Sequence, residues 1–428
     1  MKRLFEQTEL NGLVLKNRFL RSATWDGLAD DRGACTPKMT EILAALADGG
    51  VGLIITGHAY VHPRGKHSPG QLGLDRDELI PPLTEMTETV HLKGGKIILQ
   101  LGYGGFYLSK ARLRKMTEPD LQEVVEAFGQ ASVRAQKAGF DGVQILAAHG
   151  FFLSQMLCPR YNDRTDDYGG SLENRARLLL EVLSCIRKKV GRGYPVLAKL
   201  NGRDLIEGGL ILEESLQVGK WLEERSLDAL EISGGLLNIA NLLDHKTGEN
   251  DEEAAFQNDS RAFKKTLTIP VILGGGIRSP GQAEKLLSEE YADYLSLCRP
   301  FICEPDLIHR WEKEDRRPAS CISCNTCVEQ IIKGEGFFCN PKKPEPAVTF
   351  FPQDQEEMPL GPPYPAGTMV QVATGLEQWE SGFYPVLKIQ MIRDEKIINS
   401  GLSIPLSTND PENLLQVVKT LLEKHRQR

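Results

Sequence analysis

The chain alternates between short apolar runs and longer amphipathic stretches. Runs such as VGLIIT at residues 51–56 and PVLAKLN at 195–201 are almost wholly apolar, which is typical of strands buried on both faces. Stretches such as 172–190 repeat apolar residues with the period of a helix. The pattern predicts eight strands, each followed by a helix, at residues 18–24, 51–56, 96–101, 141–146, 195–201, 228–232, 270–273 and 293–297.

Strict alternation of strands and helices predicts a parallel sheet, and eight such units fit a (β/α)8 TIM barrel over residues 1–318. The alternative is an open, doubly wound sheet, which usually carries a GxGxxG turn after an early strand. The nearest match, Gly102-Tyr103-Gly104-Gly105, has the wrong spacing. We therefore expect an α/β fold of the barrel type.

The character of the chain changes after the barrel. Residues 319–341 form a cysteine segment, and residues 342–366 are rich in proline, which predicts an extended linker. We expect residues 367–428 to form a small α+β appendage of unknown role. Its predicted elements are two strands at 368–374 and 384–393 and a helix at 410–425.

Charge and hydropathy exclude several classes of function. The formal net charge of −7 offers no attraction for nucleic acid or for an anionic membrane surface. No run of about 18 apolar residues exists that would span a membrane, and the N-terminus lacks the apolar segment of a signal peptide. We expect a cytoplasmic protein that acts on a small molecule, and a homo-oligomer is compatible with the sequence.

An unusually long polar segment, Ala147–Arg175, follows the fourth strand. Loops of this length in compact domains are usually functional, and in a parallel barrel this one would lie at the C-terminal mouth. We expect its charged residues, among them Arg164, Asp166 and Arg175, to be structural. They can cap the next helix and pair across the loop.

Glycines and an arginine follow the last two barrel strands. Gly275 and Gly276 come after the seventh strand, and Cys298 and Arg299 come after the eighth. Backbone amides that glycine leaves accessible, beside an arginine and a helix N-terminus, favour a bound phosphate. The alternative is a tight strand-to-helix turn, but phosphate sites in barrels use these two loops.

Two polar side chains interrupt apolar strands, Gln100 in IILQL and Lys199 in VLAKLN. Buried lysine is rare without a partner. Lys199 is either a satisfied structural residue or a cation that faces the electron-rich edge of a ligand. Together with a phosphate site on the same face, the two residues indicate a phosphorylated ring cofactor across the mouth.

These residues belong to longer motifs that occur in one order between residues 3 and 312. The motifs are LKNRFLRSAT, GVGLIITGHAYVHPRG, GGKIILQLG, AAHGFFLSQMLCPRYNDRTDDYGGSLENRARLLLEV, VLAKLN, EISGG, VILGGGIRS and LSLCRP. Jointly they resemble the old yellow enzyme family of FMN-dependent NADH:flavin oxidoreductases. The resemblance is to the branch near bacterial 2,4-dienoyl-CoA reductase and trimethylamine dehydrogenase.

The resemblance implies that the cofactor is FMN. Gln100 would bond the pyrimidine edge, and Lys199 would lie near flavin N1 and O2, where a positive charge stabilises the reduced anion. The residues implied to contact the ring are Ser22, Ala23, Thr24 and Gly57, and those implied to hold the phosphate are Gly275, Gly276, Cys298 and Arg299.

The substrate side departs from the family pattern. Ene-reductases of the family place His-x-x-His or His-x-x-Asn after strand four to grip a carbonyl, and usually follow it with a tyrosine that donates a proton. Here these positions are Leu146, His149 and Phe151. One donor polarises a carbonyl less than two, and phenylalanine donates no proton. His149 is either the remaining donor or a packed residue, and we expect Tyr103, where many relatives have histidine, to be the replacement acid.

Four of the nine cysteines have the spacing Cys-x2-Cys-x2-Cys-x11-Cys, at Cys321, Cys324, Cys327 and Cys339. Thiolates at such short spacing converge on one soft metal centre. The alternatives are a zinc site and a vestigial loop. The segment is similar to the one that holds a [4Fe-4S] cluster in the branch named above, which implies such a cluster here.

Three functions remain. The first is an FMN-dependent oxidoreductase that transfers hydride through flavin N5 to or from a small unsaturated, enone- or enoyl-like substrate, with a [4Fe-4S] relay. The second is a flavin- and cluster-binding partner subunit without ene-reductase activity. The third, a phosphosugar lyase or isomerase with structural zinc, requires the family matches to be coincidence.

The expected electron donor depends on the residues that follow the cysteine segment. Larger relatives continue into domains that bind FAD or a nucleotide. Residues after Cys339 lack the glycine fingerprint of such domains, so we expect a chain truncated after the iron–sulfur segment. Electrons are then expected from NAD(P)H directly or from a separate protein.

Overall fold

The protein is described by a computed structural model for residues 2–104, 110–235, 253–333, 336–339, 350–359, 368–379, 382–393 and 396–405. The chain divides into two compact units, Met1–Pro341 and Lys342–Arg428. The first unit contains the barrel, the cysteine segment and every predicted site residue.

Eight parallel strands form the closed barrel that the sequence predicts. Each strand pairs with the next, and the eighth pairs with the first, with Leu295 opposite Phe19. All eight are buried along their length, which explains why their sequences are mostly apolar. In chain order they are Phe19–Arg21, Leu53–Ile55, Ile97–Gly102, Val143–Ala147, Val196–Asn201, Ala229–Ser233, Val271–Gly274 and Tyr294–Leu297.

A helix follows each barrel strand. The helix Leu172–Val190 has the predicted bounds, and the helix Pro37–Asp48 follows the first strand. The other helices of the outer ring are Ile80–Leu92, Glu118–Lys137, Leu212–Glu224, Gln257–Thr266, Pro280–Ser288 and Leu307–Glu312. Shorter helices that the pattern does not predict are Lys2–Phe5, Lys110–Lys115, Phe152–Leu157, Arg299–Cys303 and Thr326–Lys333. Within the described residues, no helix combines the length and apolar character needed to cross a membrane.

A two-stranded hairpin, Thr8–Leu10 and Leu13–Leu15, closes the N-terminal end of the barrel. Its leucines are buried with Tyr294, at the start of the eighth strand, and the Tyr294 hydroxyl lies 3.0 Å from the Thr8 hydroxyl. This apolar plug leaves the C-terminal end of the barrel for a cavity.

The long segment Ala147–Arg175 is held by buried polar contacts. Ser171 caps the helix that follows it by accepting a main-chain hydrogen bond. The buried Arg164 donates to two main-chain carbonyl groups at 2.6 and 2.7 Å. Arg175 is buried as well and pairs with Glu214 at 2.5 Å. These charged residues are structural, as predicted.

Within its described residues, the second unit contains an antiparallel sheet whose strands pair in sequence order. The strands are Phe350–Pro359, Thr368–Trp379, Gly382–Arg393 and Lys396–Pro405. The two predicted strands are present and longer than predicted. The edge strand, however, runs through the segment predicted as a linker, and its pairing shifts at Pro352, where a bulge tolerates the missing N–H. The helix predicted at 410–425 lies outside the described residues.

Candidate active site

A cavity of about 570 Å³ opens at the C-terminal ends of the barrel strands. Active sites of barrel enzymes lie at this end. Predicted site residues in its wall are Ser22, Ala23, His149, Lys199, Gly275, Gly276, Cys298 and Arg299. The structure thus brings the glycine-rich loops and the polar strand residue into one cavity.

A buried hydrogen-bonded network lies beneath the cavity. Lys199 Nζ donates to Glu231 Oε1 at 3.0 Å and to Ser22 Oγ at 2.8 Å, and Ser22 Oγ donates to the same carboxylate oxygen at 2.8 Å. Glu231 Oε2 accepts from Gln144 Nε2 at 2.8 Å, and Gln144 Oε1 accepts from Gln100 Nε2 at 2.7 Å. The network joins four neighbouring strands to the residue that follows the first strand.

Glu231 explains how a lysine is tolerated inside the barrel. Burial raises the pKa of the Glu231 carboxyl, but the Lys199 charge and the hydrogen bonds to the carboxylate outweigh burial and lower the pKa overall. The carboxylate is therefore ionised and neutralises the lysine. Glu231 and Gln144 are absent from the predicted site, although each is a polar residue in an apolar strand, the signal that indicates Gln100 and Lys199.

A second part of the cavity wall is formed by glycine and arginine. Gly275 and Gly276 have φ values of +112° and +76°, which favour glycine. A Cβ on Gly275 would also lie 2.8 Å from the Phe256 ring. Arg278 and Arg299 line the same cavity. Guanidinium groups beside glycine amides make this wall suited to an anion such as a phosphate.

The residues of the cavity fit FMN, which carries a phosphate and a ring with a polar edge. Ser296 lines the cavity, and its buried hydroxyl has no partner among the described residues. Buried polar groups normally have partners, so this hydroxyl favours a bound ligand. The glycine and arginine wall suits the phosphate, whereas Lys199 and Ser22 suit the polar edge of the ring.

Three of the predicted contacts, Gln100, Thr24 and Gly57, are not among the described lining residues of this cavity. Gln100 is held within the buried network by its bond to Gln144. Thr24 Oγ1 donates to the Ser22 carbonyl at 2.9 Å and lies 3.0 Å from Cys298 Sγ. A Cβ on Gly57 would lie 2.7 Å from the Thr24 carbonyl oxygen, so a side chain there would push Thr24 out of place.

His149 lines the cavity with a neutral ring. Its Nε2 lies 2.7 Å from Ser233 Oγ. Its main chain has a φ of +62°, held by a hydrogen bond from its N–H to Asn201 Oδ1 at 3.1 Å. Burial, with help from the Lys199 charge, lowers the pKa of the ring to about 3. At neutral pH the ring can offer a hydrogen bond but no positive charge.

Tyr103, the other predicted catalytic residue, is not in the described wall of this cavity. Its ring packs against Phe152 and His62, with centroids 5.0 and 6.2 Å away. Tyr103 is buried in the main hydrophobic core, with 5% of its surface exposed. Its role as an acid stays a prediction.

The cysteine segment lies beside the cavity. Burial, together with the neighbouring Cys298 and Cys321, raises the pKa of the Cys327 thiol to about 11. Cys303 lies outside the four-cysteine motif but close to Cys339. Burial and the Cys339 thiol raise the pKa of Cys303 to about 12. Among the residues that the structure describes, no three His, Cys, Asp or Glu side chains are arranged to hold a metal ion.

Comparisons with known proteins identify the family of the barrel. Residues 3–317 match the model of the NADH:flavin oxidoreductase / NADH oxidase family. The chain is 33% identical to an NADH oxidase of Thermoanaerobacter brockii, over 75% of this chain and 52% of the relative. It is 32% identical to an NADPH dehydrogenase of Halalkalibacterium halodurans, over 71% of this chain and 92% of the relative.

A solved structure is similar as well. It is a 2-naphthoyl-CoA reductase in complex with 2-naphthoyl-CoA, with a TM-score of 0.69 and 27% identity. The match covers 76% of this chain and 54% of that chain. This chain therefore spans about half the length of some of the relatives that it matches, the NADH oxidase among them.

The closed barrel and its cavity, together with these matches, are those of an FMN-dependent oxidoreductase. The chain belongs to the NADH:flavin oxidoreductase / NADH oxidase family. This membership sets aside the phosphosugar lyase or isomerase considered from the sequence.

Proposed function

We propose that this chain uses FMN to transfer hydride from NAD(P)H to a small substrate whose carbon–carbon double bond is conjugated to a carbonyl group. One observation carries the proposal. A single cavity joins an anion-binding wall of glycine and arginine to the buried Lys199–Glu231 pair. The names of an NADPH dehydrogenase and a 2-naphthoyl-CoA reductase among the relatives support it.

Each residue of the cavity has a proposed role in binding the cofactor or the substrate. FMN, when bound, supplies a two-electron redox centre. Ser22 and Lys199 hold the polar edge of its ring, and His149 offers one hydrogen bond to the substrate carbonyl. The phosphate is held by Gly275, Gly276, Arg278 and Arg299. Ala23, Thr24, Gly57, Gln100 and Cys298 shape or support the walls around these groups.

We further propose that the cysteine motif holds a [4Fe-4S] relay, as in the branch near 2,4-dienoyl-CoA reductase and trimethylamine dehydrogenase. The spacing of the four cysteines supports this, and so does the nearness of Cys327 to Cys298, which lines the cavity. A zinc ion at the same four thiolates is the alternative, and metal analysis separates the two.

Anaerobic purification followed by spectroscopy tests the proposal. We expect the absorption bands of flavin, bleaching of those bands by NADH or NADPH, and reoxidation by an α,β-unsaturated ketone or thioester. Analysis of iron and acid-labile sulfide tests the cluster. A protein that binds no FMN would contradict the proposal.

The second candidate function is a partner subunit that passes electrons without reducing an alkene itself. It is favoured by Leu146 and Phe151, which place apolar side chains at positions where ene-reductases carry polar ones. If NAD(P)H reduces the flavin and no member of an enone panel reoxidises it, whereas a protein acceptor does, this second function replaces the first.

A further inference from the structure

Two histidines that play no part in the roles above form a pair near the barrel mouth. The nearly parallel rings of His58 and His67 have centroids 4.9 Å apart, and their Nε2 atoms are separated by 2.7 Å, a hydrogen-bond distance. On the far side, His67 Nδ1 lies 2.6 Å from Ser68 Oγ. Among the described residues, the His58 ring is hydrogen-bonded only through Nε2. Ser68, His67 and His58 therefore form a hydrogen-bonded chain. The chain ends at His58 Nδ1, which has no hydrogen-bond partner among the described residues.

Burial keeps both rings neutral at physiological pH. Burial lowers the pKa of His67 to about 4, and burial together with the neighbouring ring lowers the pKa of His58 well below its usual range. A neutral imidazole carries one N–H and one lone pair. The Nε2–Nε2 contact thus joins the N–H of one ring to the lone pair of the other, an arrangement that can pass a proton between them.

The pair lies where this chain departs from its family. Phe151, at the position of the usual tyrosine acid, packs against His58 and His67 with centroids 4.8 and 5.2 Å away. Leu146, at the position of the usual first histidine, lies 3.4 Å from the point where a Cβ on Gly102 would stand. The Cβ of His58 lies 3.5 Å from the same point. The histidine pair therefore borders both altered positions.

We propose that Ser68, His67 and His58 form the proton relay that completes reduction of the alkene, an inference that rests on the proposed function. One alkene carbon receives a hydride, with both electrons, from the reduced cofactor. The other carbon forms its new C–H bond with the proton of His58 Nδ1, whose N–H bond breaks. His58 regains a proton through Nε2 from His67, and His67 regains one through Nδ1 from Ser68 and solvent. His58 is then the catalytic residue, whereas His67 and Ser68 supply it with protons.

The test separates the two half-reactions in the full-length protein loaded with FMN. NAD(P)H reduces the flavin without any proton donated to an alkene, so H58Q and H67Q should leave the rate of flavin reduction within about threefold. General acids typically contribute about 10²–10⁴-fold, so flavin reoxidation by an enone should slow by a factor in that range. S68A should slow reoxidation less, since Ser68 is only half-buried and water can replace its hydroxyl.

A rescue variant excludes a merely structural role. Phe151 touches both rings, so F151Y places a phenol, which can donate a proton, beside the pair. We expect the double variant H58Q/F151Y to recover about tenfold or more of the reoxidation rate lost in H58Q. H91Q is the matched control, because His91 bonds Asp141 at the opposite end of the barrel, and it should change neither half-reaction.

A shared proton gives a readout that does not depend on turnover. With histidine labelled by ¹⁵N, the unsubstituted protein should show a proton resonance coupled to the Nε2 atoms of two rings, and H67Q should lose it. If H58Q fails to fold, the variants H67Q and S68A still test the relay.

Three results would overturn the relay. The first is reoxidation in H58Q and H67Q within about threefold of the unsubstituted rate. The second is a large loss in Y103F alone, which would make Tyr103 the acid. The third is an unsubstituted protein whose flavin is reduced by NAD(P)H but reoxidised by no enone, which would overturn the proposed function and the relay with it.

Discussion

Arg299 Nη1 donates a hydrogen bond to Asn325 Oδ1 at 2.8 Å and to the Ser323 carbonyl at 3.3 Å. Arg299 also lines the cavity, so one guanidinium joins the proposed phosphate site to the loop that carries Cys324. Ser323 and Asn325 both have a φ of +58°. That conformation costs a non-glycine residue about 1 kcal/mol, and the arginine contacts help to offset the cost.

We predict that R299K weakens both sites at once. Lysine keeps the charge but lacks the planar fork that lets arginine bind a phosphate and a neighbouring side chain together. FMN affinity of the apoprotein, measured by fluorescence titration, should fall about tenfold or more. Iron bound after anaerobic reconstitution should fall in the same variant.

R316K is the matched control for R299K. Arg316 pairs with Glu284 at 2.7 Å on the protein surface and does not line the cavity. The control should keep the FMN affinity and the iron content of the unsubstituted chain. If R299K loses FMN and keeps its iron, the hydrogen bond between Arg299 and Asn325 does not stabilise the loop that carries Cys324.

The barrel was predictable because each of its strands is buried on both faces. Such strands are mostly apolar, so the polar Lys199 stands out within its strand. Its partner Glu231 is 32 residues away along the chain and becomes a neighbour only because the fifth and sixth strands pair. That pairing is a property of the closed sheet and not of any local pattern.

Features of the site that lie in loops were harder to predict from the sequence than those in strands. His58 and His67 lie outside any run with a strand or helix period, so nothing in the sequence pairs them. The helix Phe152–Leu157 is buried along its whole length and therefore lacks the amphipathic pattern that reveals surface helices. In both places the information comes from contacts in the folded chain that no local sequence pattern shows.

We predict that E231Q is strongly destabilising. It leaves the buried Lys199 charge without its counter-ion, and breaking a buried pair in this way costs about 3–5 kcal/mol of unfolding free energy. Urea unfolding followed by tryptophan fluorescence measures the loss. The double variant K199M/E231L, which removes both charges, should recover most of it.

E126Q is the control for E231Q. Glu126 pairs with Lys189 at 2.8 Å, but its side chain is 54% exposed, and exposed pairs contribute less than about 1 kcal/mol. If E231Q lowers the free energy of unfolding no more than E126Q does, groups other than Glu231 stabilise the buried charge of Lys199.

We predict that stability falls as the pH drops from about 6.5 towards 4. His58, His67 and His149 have pKa values below the usual 6.5 in the folded chain, about 4 for His67 and about 3 for His149. Below pH 6.5 the unfolded chain binds protons that the folded chain does not, so acid favours unfolding. Each such histidine contributes a slope of up to about 1.4 kcal/mol per pH unit.

The slope is measured by urea unfolding at pH 8, 7, 6 and 5. The double variant H67Q/H149Q removes two of the three groups and should flatten the fall, whereas H91Q should not. An equal slope in the double variant and the unsubstituted chain would show that the buried rings take up protons in the folded state.

We predict that C327S loses the metal centre and that C303S retains it. Cys327 belongs to the four-cysteine motif and is buried near Cys298 and Cys321. Cys303 approaches Cys339 but lies outside the motif. After anaerobic reconstitution we expect about four irons and four sulfides per unsubstituted chain, as a [4Fe-4S] cluster requires. C303S should keep that content, and C327S should lose most of it.

C185S completes this comparison, because Cys185 lies on the helix Leu172–Val190 and is the matched control for removal of a thiol. Zinc in place of iron in the unsubstituted protein, lost in C327S, would contradict the cluster and favour a structural site. Loss of iron in C303S to the same degree as in C327S would instead assign Cys303 as a ligand. In that case the four cysteines of the motif would not be the complete set of ligands. The fifth cysteine, Cys303, lies close to Cys339 in the fold, although the sequence spacing does not show it.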